Sequence, residues 1–321
     1  MRRALLAALA ALAACSRGGP PPAPARLFVS PDLPGQVVVD AASRFGVARA
    51  ALVERAQDAE IAWVSDPTDA LALGDRLVPG SAADPGDVDA RWKDPRRRFA
   101  PLGARARVLV VSPRATLPFP PSNLRDLVDP RLAGRQAVVP LGRGAGPVTV
   151  AALALAHGEA SAARFVDLLA RVRPQLATSD ADVRARVASG AADLGLTGSL
   201  DAAAGAASAA GLRVIYPDQV GRGAVVLPTA VALLSGAGEG ARKLAAWLAG
   251  PDAERVAAAR APGLLPLRPE VPVPVGVEAA PNLAALQLDW DELLEMERRL
   301  APALDGWPEG FTVGAGRPGD R

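Results

Sequence analysis

The sequence predicts an α/β protein of two lobes, and three observations carry that expectation. Short apolar runs alternate with longer segments of helical spacing, the pattern of a sheet flanked by helices. Two runs are β-like, residues 105–112, where Val108 to Val111 follow two arginines and burial on both faces is expected, and the second such run 224–234. The chain has 321 residues, beyond the ~250–300 at which a single hydrophobic core stops growing.

The first residues stand outside that body. Arg2 and Arg3 precede an apolar stretch over 4–14 that ends in Leu12-Ala13-Ala14-Cys15. A charged start, a short apolar run and small residues before a cut site make an export signal too short to span a bilayer. The order Leu-Ala-Ala-Cys marks Cys15 for lipid. Residues 1–14 are thus expected to be a signal peptide, with Cys15 as the lipidated new N-terminus, periplasmic or extracytoplasmic and anchored to a bacterial membrane. More than one acyl chain suffices for stable anchoring. Residues 15–26, with Gly18-Gly19 and a run of prolines, read as an extended spacer. Cys15 is the only cysteine, so no disulfide is expected in the body.

The body follows in order. Residues 27–30 read as a first strand, ended by Pro31, and 41–56 as a helix despite Gly46. Residues 60–64 read as a second strand, with a turn at Asp66-Pro67. The run 105–112 is the third. Helical patterns cover 150–156, 160–171, 180–189, 240–248 and 252–260, the last opened by Pro251. In 224–234, Pro228-Thr229 is expected to interrupt ladder pairing. The two apolar strands are the candidates for crossings between lobes. Leu293, Met296, Glu297, Leu300 and Leu304 recur at helical spacing over 289–304.

Composition excludes several functions. The formal charge is +2, and removal of Arg2 and Arg3 brings it to zero. Arg96-Arg97-Arg98 is the longest basic run and reads as a solvated turn, so no nucleic-acid partner is expected. No window of about 18 apolar residues follows the signal. There is no His-Glu-x-x-His, no Gly-x-Ser-x-Gly and no cysteine left for nucleophilic work; a serine triad would depend on the lone His157. No enzyme, catalytic residue or cofactor is expected.

The order of motifs resembles the periplasmic solute-binding proteins of ATP-binding-cassette importers, in the ferric-iron-binding branch. Trp63-Val64-Ser65-Asp66-Pro67 and the stretches 103–110, 127–135, 192–197, 214–219, 226–233 and 265–269 carry the resemblance in family order. It implies a two-lobed periplasmic-binding-protein fold (type II), with two crossing segments as a hinge and solute held in the cleft. Residues 27–106 and 226–280 would form lobe 1 and 107–225 lobe 2, with a C-terminal helix in 281–309 packing on lobe 2 and a flexible tail over 310–321. A separate ATPase would power transport, in keeping with the lack of a Walker phosphate loop. Importer permease subunits would be the partners of a monomer.

Iron-binding members of that branch use adjacent tyrosines, a first-strand histidine and an acidic residue. Here Tyr216 is the only tyrosine, His157 the only histidine, and the first strand leads into Ser30 and Asp32. A phenolate pair is impossible, leaving carboxylates or a bound chelate for a ferric ion carried as solute; the metal ligands are unknown.

Anion binding fits better. Arg105 and Arg107 alternate along one strand and share a face, where they contact solute or pair with acidic neighbours at the hinge. The glycine-rich stretch 141–147, with Gly144 and the following Thr149, opens a helix and is either an anion loop or a turn. Ser179 caps a helix or faces the cleft. Thr197 and Ser199 end one strand and Ser65 and Asp66 another, where open α/β sheets place ligand contacts. Tyr216 either bonds solute or covers the hinge, and His157 reads as a helix cap. The sequence therefore predicts capture of a small anionic solute, or of ferric iron with an anion, by cleft closure. The alternative is a lipoprotein that has lost solute binding and serves as an interaction or structural module.

Overall fold

The computed structural model describes residues 23–206 and 211–309. The export signal, Cys15, most of the spacer and the tail over 310–321 lie outside the described residues. Among the described residues no helix is long and apolar enough to cross a membrane.

Strand β1 (Ala25–Val29) lies between β2 (Ala50–Val53) and β3 (Ile61–Val64), all parallel. β9 (Val226–Leu233) runs antiparallel to β3 and joins it to β4 (Ala100–Val111). Beyond β4 come β7 (Leu194–Gly198), β5 (Gln136–Val138) and β6 (Gln175–Leu176), while β8 (Arg213–Ile215) also pairs with β4. The order β2-β1-β3-β9-β4-β7-β5-β6 divides within β4: residues up to Ala106 pair with β9, and those from Arg107 pair with β7. This strand is shared by the two halves, and the return passes beside it where Val226 faces Ala106. A two-lobed α/β architecture follows. β4 and β9 are buried along their length, save Arg105, which explains why both read as apolar runs.

The helix expected over 41–56 does not form as such. Helix α1 (Gly35–Arg44) starts earlier and ends before Gly46, which takes φ +66°, and β2 occupies the second half of the interval. Hydrogen bonding to β1 overrides the local helical pattern. At Pro228-Thr229 the ladder to β4 is locally irregular, as expected: Pro101 faces Ala230 and Ala104 faces Pro228 with a register shift between, while β9 itself continues from Val226 to Leu233. The arginine run is no simple solvated turn: Arg98 is buried and forms charge-assisted hydrogen bonds with Asp94 and Asp291.

The first half carries α1, α2 (Pro67–Leu71), α7 (Glu239–Leu248) and α8 (Pro251–Arg260). The second carries α3 (Gly146–His157), α4 (Glu159–Arg171), α5 (Asp180–Ser189) and α6 (Ser199–Ala206). The C-terminal helix α9 (Trp290–Leu304), placed by the sequence on the second lobe, touches α2 of the first as well as α3. Its start is tied to the first half by Arg98–Asp291 and by Trp290 Nε1 donating to the Lys93 carbonyl at 3.1 Å. Just past its end, Trp307 Nε1 donates to the Val166 carbonyl of α4 at 3.2 Å. Leu293 and Met296 join one apolar cluster that runs from Val64 and Leu71 to Val150 and Leu169.

Candidate functional site

The ends of β1, β3 and β7 open on one cleft of about 770 Å³ between the halves. Position after a strand explains why Ser30, Asp32, Ser65, Asp66, Gly198 and Ser199 line it. Arg105 reaches it from β4, and Gly144, Ser179 and Asp180 approach from the second half.

Both hinge arginines are paired, each with a carboxylate of a different half. Arg105 forms an ion pair with Asp32, whose other oxygen accepts from Ser65 Oγ at 2.7 Å. Arg107 Nη1 donates to Asp180 Oδ2 at 2.7 Å. The pairing still leaves buried polar atoms without partners: Arg105 Nε, Arg107 Nε and Asp180 Oδ1. Burial, followed by repulsion from Arg107, lowers the Arg105 guanidinium to about 10.

Behind Arg107 the second half forms a recess of about 230 Å³, lined by residues that include Arg107, Arg143, Gly144, Thr149, Ser179 and Asp180. Two helix starts converge there. Helix α3 begins at Gly146 without a side-chain cap, whereas α5 is capped by Ser179 Oγ accepting from Asp182 N–H. Gly144 takes φ +54°, and a Cβ on Gly146 would strike the Leu141 carbonyl, so glycine at both positions lets the loop fold against the recess. The Thr149 hydroxyl donates back to the Ala145 carbonyl.

The first-half wall differs in chemistry. Asp66 caps α2, with Oδ1 accepting from the Thr68 and Asp69 amides and the Thr68 hydroxyl. Asp66, Asp69 and Glu297 of α9 line the same cleft. Burial raises the Asp66 carboxyl, against the hydrogen bonds it accepts. Asp69 reaches the opening, yet the surrounding protein, then Asp66 and Glu297, push its carboxyl up to about 7. Glu297 is raised by burial and by the Asp66 charge. On the second side, burial and then Asp180 raise Asp201. Among the described residues no group of three or more His, Cys, Asp or Glu side chains is arranged to hold a metal ion.

Of the ten residues singled out as solute contacts, Ser65, Asp66, Arg105, Gly144, Ser179 and Ser199 line the cleft, and Arg107 and Thr149 line the recess. Ser199 is internally satisfied: its hydroxyl accepts from Ala106 N–H and donates to the Gly263 carbonyl at 2.7 Å. Thr197 is fully buried and donates to the Asp180 carbonyl. Tyr216 lies apart, packed beside the Ala106–Val226 cluster, with its hydroxyl accepting weakly from Glu278 N–H at 3.4 Å. His157 ends α3, with Gly158 at φ +87° following it. Sequence reasoning missed Asp69, Asp201 and Glu297 as cleft residues, whereas Arg143 of the recess lies in the glycine-rich stretch read as a possible anion loop. Of the three missed, only Glu297 carried a signal, being a charge inside an otherwise apolar helical stripe.

Comparisons with known proteins agree with this architecture. A search of the curated proteins returns no match. Iron- and citrate-bound IdiA (FutA) of Trichodesmium has TM-score 0.73 at 19% identity, covering 88% of this chain and 99% of its own. Iron-bound HitA from Pseudomonas aeruginosa gives 0.75 at 17%, covering 88% and 99%. AfuA from Actinobacillus pleuropneumoniae, with fructose-6-phosphate bound, gives 0.70 at 13%, covering 91% and 99%. At such identities the likeness speaks for the two-lobed fold and leaves the ligand open. Residues 76–296 match the family described as bacterial extracellular solute-binding protein. The chain belongs to the bacterial extracellular solute-binding protein family.

Proposed function

We propose that this chain is a lipid-anchored extracytoplasmic solute-binding protein that captures a small anionic solute by closing its cleft and delivers it to an ATP-binding-cassette importer. The carrying observation is the second-half recess, where two helix starts converge with Arg107 and Arg143. Helix N-termini favour negative charge, and guanidinium forks match phosphate, phosphonate or carboxylate oxygens. Arg107 is buried with Nε unpartnered, so an anion in the recess would meet a donor that no protein acceptor satisfies. Arg105 stands beside it toward the first half. A solute touching both would favour closure through contacts the open form lacks.

A second reading is favoured by the opposite wall. Asp32, Asp66, Asp69 and Glu297 line that wall without being arranged as a metal-holding group, so a ferric ion there would take most of its hard oxygen donors from the accompanying anion in place of tyrosinates. Native mass spectrometry of the protein purified from its own cells tests both. An organic anion or phosphate without metal supports the first reading, and a ferric adduct replaces it with the second. A protein that carries nothing, and whose melting temperature no anion or ferric chelate raises, overturns both in favour of a non-binding module.

A further inference from the structure

Away from the cleft, α1 and α8 enclose a groove of about 400 Å³ whose floor includes Val37, Ala41 and Val256. None of its lining residues is acidic, and three are arginines. Arg255 shares its charge with Asp252 at 2.6 Å, whereas Arg44 and Arg260 have no acidic partner among the described residues. Phe45 closes one end, its ring tilted 41° against Trp247 with centroids 5.9 Å apart and still 59% exposed. Arg260, toward the other end, lines both this groove and the cleft.

We infer that the groove docks an acidic helical segment with an apolar ridge, supplied by the importer permease; the partner's identity rests on the transport reading above. An apolar floor between two helices with cationic edges suits a helix laid in a groove, its apolar ridge anchored and its carboxylates paired at the rim. A lipid surface would instead call for several projecting apolar side chains, and here only Phe45 projects while Val37, Ala41 and Val256 form a floor. The position suits delivery. Immediately after α8, residues 261 and 262 line the cleft, and the Gly263 carbonyl accepts from Ser199 of the second half. A partner gripping α8 therefore holds an element whose continuation is cleft wall and interlobe contact.

The test uses the full chain in its own cells, with photoreactive p-benzoylphenylalanine at position 37. The expected product is an adduct whose partner peptide is an acidic segment of an importer permease subunit. Arg44→Glu combined with Arg255→Glu should cut its yield about tenfold, with phosphate affinity unchanged by calorimetry on the purified variant. Adducts only with phospholipid or a second copy, no adduct, or a yield indifferent to the charge reversal would overturn the inference. A permease adduct from a protein that carries no solute and whose melting temperature no anion raises sustains the docking surface while removing the anion reading, so the two fail separately.

Discussion

The two walls of the cleft are built from the same kind of position, the ends of strands and starts of helices, yet their chemistry is opposed. The first-half wall presents Asp32, Asp66, Asp69 and Glu297, with Arg105 occupied by Asp32. The second-half recess presents two helix starts, Arg143 and the Arg107–Asp180 pair, whose unused atoms face no partner. Along β4 the arginines differ by only two residues, but one serves each wall. A cleft assembled this way can hold opposite charges a short distance apart, and the polarity depends on which loop carries the carboxylate.

The largest expected difference between the walls concerns those two ion pairs. Asp180→Asn weakens the partner of a buried arginine and should cost about 3 kcal/mol, the lower end of the range for breaking a buried pair. Asp32→Asn, at a carboxylate 43% exposed, should cost at most ~1 kcal/mol. Urea denaturation of both variants measures this; equal losses would erase the distinction between the walls.

A second, smaller contrast is in pH dependence. On the first wall the carboxyls of Asp66, Asp69 and Glu297 are held above their ordinary values, so the folded form keeps protons that the unfolded chain releases. The stability this confers is fully present below the usual carboxylate range and is lost as pH rises through about 7, the value to which Asp69 is raised. Melting temperature should fall across that window, and Asp69→Asn should flatten much of the fall. A slope unchanged by that substitution would show that the wall does not titrate as a unit. A local effect belongs to the second wall: Ser179→Ala removes the α5 cap and should cost about 1 kcal/mol, read as a shift in the urea midpoint.

Much of the second wall was legible in the sequence because its parts are local. The alternation of Arg105 and Arg107, the glycine loop around Gly144 and the Ser179 cap are each visible within a few residues. The first wall was harder to read, since it joins residue 32, residues 66–69 and residue 297, segments that only the tertiary fold brings together. Arg98 was misread for the same reason: its partner Asp291 lies 193 positions away. The sheet core was readable from β4 and β9, whose burial leaves continuous apolar runs. β2 was not, because a short edge strand keeps little of the alternation that would separate it from a helix.

Calorimetric titration of inorganic phosphate into the native protein and its Arg143→Ala variant tests the central claim most directly, since Arg143 is exposed and its loss should leave the fold intact. The account predicts measurable binding that weakens about tenfold in the variant, the worth of one charged hydrogen-bond donor. Absence of heat with native protein, or equal affinity in both, would contradict it.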